Sequence, residues 1–224
     1  MTNRRTFLLS TAGVLAGSLL PDLASAANAK APMIASAALK NLIDGNARFV
    51  AGTPRCNPLI ARVRELTSGQ APFATVLGCA DSRVPVETLF DHDPGDIFVV
   101  RLAGNFVSDA ALASIEYATA VLKSPLVMVL GHTSCGAVQA AIDFVKTGAK
   151  LPGHMQTLVD AIAPAAKACE HQPGDWWHNA VAENVRLNVH ALRTSTPIMA
   201  DAVKNGYKIV GGVYDLTTGR VTLL

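Results

Sequence analysis

Short apolar runs alternate along the chain with longer stretches in which apolar residues recur at helical spacing. Residues 73–78, 97–101, 126–131 and 207–214 are nearly unbroken apolar runs bounded by turn residues, and each predicts a strand buried on both faces. Between them, Ala38, Leu39, Leu42, Ile43, Ala47 and Phe49 or Val50 predict a helix over 35–50, stopped by Gly52-Thr53-Pro54. Shorter helical segments are expected at 59–68 and 86–90. Longer ones are expected at 108–121, with Ser108 as N-cap, and at 136–146. Residues 151–205 read as three successive helices (154–170, 176–193, 197–205), and 220–224 as an edge strand. Asp93-Pro94-Gly95-Asp96 has the chemistry of a tight turn. Strand, helix, strand in this order requires a mainly parallel central sheet flanked by helices, an α/β fold with right-handed crossovers.

Two clusters of reactive residues sit where predicted strands end. Cys79-Ala80-Asp81-Ser82-Arg83 follows the first run, and His132-Thr133-Ser134-Cys135 follows the third. The carboxyl ends of the strands are where open α/β sheets bind ligands. Brought together, Cys79, His132 and Cys135 have the stoichiometry of a catalytic zinc site with a fourth position free. Asp81 can fill that position or leave it, and Arg83 can hold the displaced carboxylate in a charge-assisted pair. Bland readings stand beside these: two buried thiols, a closed structural zinc site, and a surface Asp81–Arg83 ion pair.

These residues resemble the β-class carbonic anhydrases. The likeness runs through Gln70, Cys79 to Pro85, Pro94 to Arg101, Ala103-Gly104-Asn105, Ile115-Glu116-Tyr117-Ala118, Gly131 to Gly136, and Gly212-Val213-Tyr214-Asp215. It implies a β-carbonic-anhydrase-like fold whose N-terminal helices pack on a partner subunit, a homodimer or tetramer, and zinc as cofactor. It also implies reversible hydration of carbon dioxide to bicarbonate by a hydroxide held on zinc, with an Asp81/Arg83 dyad. By the same resemblance Gln70 hydrogen-bonds substrate, and Phe98 and Tyr117 line the pocket, often from the partner subunit. Gly136 offers a backbone N–H at a helix start, where an anionic product is favoured. Tyr117 or His92 could relay the proton, although Phe98 and Tyr117 also suit plain core packing.

Members of the family regulated by bicarbonate carry a tryptophan three residues before the first zinc cysteine. Here that position is Val76, although Arg101 and Tyr214 match. This difference favours an enzyme whose Asp81 is usually off the metal. Two other readings remain open: hydrolysis of a carbon dioxide analogue such as carbonyl sulfide or carbon disulfide, and a non-catalytic zinc-binding module.

Composition narrows the partners. The 224 residues are 50% hydrophobic and only 5% aromatic, and the net charge of +2 comes from scattered Lys and Arg. That excludes a nucleic-acid surface and suits a small diffusible substrate. At the N-terminus, Asn3-Arg4-Arg5-Thr6-Phe7-Leu8-Leu9, an apolar stretch to Leu20 and Ala24-Ser25-Ala26 read as a twin-arginine signal peptide over residues 1–26. The stretch is short for a membrane anchor. A single catalytic domain is expected over 27–224, exported to the periplasm or an equivalent compartment, without stable membrane insertion of the mature chain. Cys56 and Cys169 lie outside both clusters, and buried thiols, a disulfide or exposed thiols all fit them.

Overall fold

The computed structural model describes residues 33–55, 57 and 59–224. The expected signal peptide over residues 1–26, the lead-in to Pro32 and Cys56 lie outside the described residues. The chain runs α1 (Ala35–Val50), α2 (Leu59–Glu65), β1 (Ala74–Cys79), α3 (Val86–Leu89), β2 (Ile97–Leu102), α4 (Asp109–Ala120) and β3 (Leu126–His132). It continues through α5 (Gly136–Thr147), α6 (Met155–Ala168), α7 (Trp176–Thr194), α8 (Ile198–Lys204), β4 (Lys208–Tyr214) and β5 (Val221–Leu223). Every predicted element is present. The second helix ends earlier than its apolar spacing suggests, because bonds from Leu66 to Val63 and from Gly69 to Leu66 tighten the chain into i→i+3 turns.

The sheet has five strands in the order β2-β1-β3-β4-β5. The pairs among β1 to β4 are parallel, and β5 runs antiparallel to β4. Every residue of β1 and β3 is buried, which is why these strands read as unbroken apolar runs. Alternate side chains serve two cores. Leu77, Cys79, Val127, Val129 and Ile209 face a layer built from α4 to α8. Ala74, Val76, Leu126, Met128 and Tyr214 face α1 and α3.

This topology positions the site. The chain leaves β1 for the outer strand β2 and then returns past β1 to form β3, so the direction of winding reverses between β1 and β3. At that switch point the crossing connections diverge and leave a crevice beyond the carboxyl ends. Cys79 is the last residue of β1 and His132 the last of β3.

Local side-chain and turn chemistry sets several element boundaries. The Ser108 hydroxyl accepts the Ala111 N–H and caps α4. Asp175 caps α7 by accepting the His178 N–H. The Asp96 N–H closes the predicted turn on the Asp93 carbonyl. Among the described residues, no helix is long and apolar enough to cross a membrane.

Candidate metal centre

The β3–α5 connection takes three residues to turn from strand to helix. Ser134 adopts a left-handed backbone (φ 56°) to make the corner, and Cys135 becomes the N-cap of α5. The Thr133 N–H donates to the Tyr214 carbonyl at 2.9 Å, and the Thr133 hydroxyl accepts the Leu216 N–H at 3.0 Å, so β4 anchors this corner. Trp177 pins it from α7 by donating its indole N–H to the Cys135 carbonyl at 3.0 Å.

The sulfurs of Cys79 and Cys135 and a ring nitrogen of His132 lie within 4.8 Å of one another, and all three residues are buried. His132 is fully buried, with its Nδ1 2.9 Å from the Thr133 carbonyl. A carbonyl only accepts, so Nδ1 carries the proton and Nε2 presents a lone pair. That buried Nε2 makes no hydrogen bond. A buried lone pair facing two sulfurs is an arrangement a metal completes, and tetrahedral zinc needs its ligands roughly 3.5–4 Å apart. The donor set therefore fits zinc.

The sulfurs are prepared for such a cation. The Cys135 thiol hydrogen-bonds Cys79 and, against the effect of burial, this bond and the backbone N–H groups of Gly104 and Asp81 lower the Cys79 pKa. Those N–H groups lie 3.3 and 3.4 Å from Cys79 Sγ. The Cys135 thiol is pushed up by its bond to Cys79 and by burial, opposed by the N–H groups of Val138 and Ala137 in the first turn of α5. Binding of a divalent cation favours the thiolate form of both sulfurs and releases their protons. Cys79, Cys135 and Cys169 are all free thiols.

Asp81 stands beside the cluster, with Oδ2 3.8 Å from His132 Nε2. Arg83 holds its carboxylate in a bidentate pair and keeps it well below the usual carboxylate range. Arg101 fixes the loop from below, Nε to the Cys79 carbonyl at 2.9 Å and Nη2 to the Asp81 carbonyl at 2.6 Å. Val76 and Tyr214 both belong to the core on the α1 face. Gly136 is exposed at the start of α5, with open space where a side chain would stand.

The family model for carbonic anhydrase matches residues 74–221. A carbonic anhydrase of Mycolicibacterium smegmatis is 43% identical over 189 residues, covering 84% of this chain and 92% of that one. The chain belongs to the carbonic anhydrase family. Carbonic anhydrase 2 of Mycobacterium tuberculosis is 39% identical over 84% of this chain and 91% of its own. Among solved structures, a tetrameric β-carbonic anhydrase of Sordaria macrospora superposes with a TM-score of 0.66 at 26% identity. The match covers 83% of this chain and 96% of that one. The chain is a β-class carbonic anhydrase by fold and family, and its reaction is carbon dioxide hydration.

Of the expected site residues, Cys79, Asp81, Arg83, His132, Cys135 and Gly136 come together in the fold. The other expected substrate-binding residues do not join them within one chain. Gln70 precedes β1 and lines a cavity of about 280 Å³ together with His92, Arg62 and Asp96 at the opposite end of the strand. Phe98 pairs with Thr75, four positions before Cys79, and so stands about 13 Å back along the sheet. Its ring lies 6.3 Å from that of Tyr117, which is 43% exposed. His92 is committed to the Asn41 carbonyl and Asp96. Sequence reasoning missed Asn184 and Asn188 on α7. Their signal is an i, i+4 asparagine pair inside the apolar stripe formed by Ala180, Val181, Val185, Val189 and Leu192.

Proposed function

We propose that the carbonic anhydrase binds zinc through Cys79, His132 and Cys135 and works with Asp81 held off the metal by Arg83. The observation that carries this reading is the buried, unpartnered Nε2 of His132 facing two thiols, with the Asp81 carboxylate 3.8 Å away and gripped by Arg83. Zinc there supplies a Lewis acid that brings a water's pKa down from 15.7 towards neutral, less far with two thiolates than with three imidazoles. The Asp81 carboxylate, 3.8 Å from His132 Nε2, would be placed to accept a hydrogen bond from a water held there. Arg83 keeps Asp81 ionised and in place. The Gly136 N–H, at the positive end of α5, faces the bicarbonate that forms.

Gln70, Phe98 and Tyr117 complete the site from a second copy. In a two-fold dimer the end of the sheet carrying Gln70 on one protomer meets the end carrying Cys79 on its partner, and the reverse. The exposed apolar residues of α2, Leu59, Ile60 and Val63, and Ile34 before α1 suit the same contact. Residues 1–26 direct export by the twin-arginine route, which carries chains already folded and would bring Cys79 and Cys135 into an oxidising compartment with their metal in place.

The test compares wild type and Asp81→Ala by zinc content and stopped-flow hydration. The reading predicts one zinc per chain in both and turnover reduced about 10²-fold in the variant. A fully active Asp81→Ala would overturn the role given to the dyad.

A further inference from the structure

The apolar face of α7 is broken at Asn184 and Asn188, which are 2% and 8% exposed. Buried amides in a helix stripe must find partners. Theirs are in one place, the loop from 102 to 107 that follows β2. Asn188 Nδ2 donates to the Asn184 carbonyl at 2.7 Å and to Asn184 Oδ1 at 3.1 Å. With Oδ1 thus occupied as acceptor, Asn184 is turned so that its Nδ2 donates to the Gly104 carbonyl at 2.8 Å. Asn188 Oδ1 in turn accepts the Val107 N–H at 2.7 Å. Two side chains from α7 therefore hold the loop at both ends.

The loop has little freedom of its own. The Asn105 N–H closes a turn on the Leu102 carbonyl, which also accepts the Ala80 N–H beside Cys79. Gly104 sits at φ +83°, and a side chain there would meet Ile162 Cδ1 at 2.3 Å. In that conformation its N–H points at Cys79 Sγ, 3.3 Å away. The peptide group whose carbonyl Asn184 grips is the one directly after that N–H.

We propose that Asn184, oriented by Asn188, is a positioning residue of the metal centre that aims the Gly104 N–H at the Cys79 sulfur. This rests on the reading of Cys79 as a metal ligand. A hydrogen bond to a ligating thiolate lowers the energy of the sulfur lone pairs, so the device sets how much charge Cys79 donates to the metal.

The experiment is the absorption spectrum of the cobalt(II)-substituted full chain, wild type against Asn184→Leu, which fills the volume without donating. Asn188→Ser, which frees the Asn184 amide to turn, and Val189→Ala, a packing loss on the same helix, are measured beside it. The thiolate-to-cobalt charge-transfer band moves to longer wavelength in Asn184→Leu and less far in Asn188→Ser. It stays in place in Val189→Ala although that variant melts earlier. Zinc leaves Asn184→Leu for a chelator about tenfold faster. A wild-type band position in both asparagine variants, or in Asn188→Ser if Asn184→Leu does not fold, overturns the inference. An equal shift in Val189→Ala does the same. Absence of any such band in the wild type overturns the metal reading itself, and this inference with it.

Discussion

Arg83 grips Asp81 through both carboxylate oxygens, Nε to Oδ1 at 2.9 Å and Nη2 to Oδ2 at 2.7 Å, while its own backbone N–H adds a third bond at 2.9 Å. A bidentate pair fixes direction as well as distance. Removing the guanidinium in Arg83→Ala frees the carboxylate to close the 3.8 Å to the His132 side of the cluster and to become a metal ligand. The expected result is unchanged zinc content, turnover near neutral pH lower by about 10²-fold, and an Asp81 oxygen at ligand distance in a crystal structure of the zinc-loaded variant. Wild-type turnover in Arg83→Ala would contradict it.

Cys79→Ser and Cys135→Ser each take one thiolate from a site that has three protein ligands to offer. Both variants should fold, since these residues lie at element ends. Both should retain well under one zinc per chain after gel filtration with a mild chelator, measured by elemental analysis.

The separation of Gln70 from Cys79 within one chain has a consequence for mixed assemblies. Gln70→Ala and Asp81→Ala are each expected to be poorly active alone. Unfolded and refolded together, they should regain about a quarter of wild-type turnover, because half of randomly formed dimers carry one site built entirely from unaltered residues. No recovery above the parents, with dimers confirmed by light scattering, would place Gln70 outside the partner's site.

Asp91 is buried at φ 50°, where it pairs with Arg48 and Arg55 and accepts the Arg55 N–H. Burial works against its charge. The side chain of Arg48, the Arg55 N–H and both guanidinium groups outweigh it, so the carboxyl titrates below its ordinary value. A depressed carboxyl contributes stability that is present above its unfolded pKa, about 3.9, and is lost as pH falls through the folded value. Asp91→Asn keeps a residue that tolerates this backbone and removes only the charge. It should lower stability by about 2–4 kcal/mol at neutral pH in denaturant unfolding, with the gap to wild type narrowing below about pH 4.

Gly45 looks at first like a site to improve, since glycine inside a helix costs about 1 kcal/mol relative to alanine. Here a Cβ would stand 1.7 Å from the Phe90 carbonyl oxygen, a backbone atom that cannot swing aside. Gly45→Ala should therefore destabilise, by about 3 kcal/mol or more, and loosen α1 from α3. A rise in melting temperature would show that α1 does not sit against that carbonyl.

How far the sequence carried the account depends on what kind of contact is at stake. Cys79 and His132 were legible as partners because parallel strands with diverging connections place their carboxyl ends side by side, and apolar runs reveal such strands. Ser108 and Asp93 to Asp96 announce a cap and a turn through local chemistry alone. Asn184 and Asn188 were not legible as parts of the site. Their partners lie 80 and 81 positions away in sequence, and no local rule links a helix amide to a particular loop carbonyl or N–H. The Arg101 clamp on the Cys79 and Asp81 carbonyls was hidden for the same reason, since it rests on the register that sets Gly78 against Arg101. Gln70 matched its family position, but only the folded chain shows it at the far end of β1 from the cluster it is expected to serve.

The most direct test of the account is stopped-flow carbon dioxide hydration by the zinc-loaded protein between about pH 7 and about pH 9, with a metal count on the same sample. The account predicts one zinc per chain and turnover that climbs with pH, as expected for a water held by two thiolates and one imidazole. One zinc per chain with no hydration anywhere in that range would contradict it.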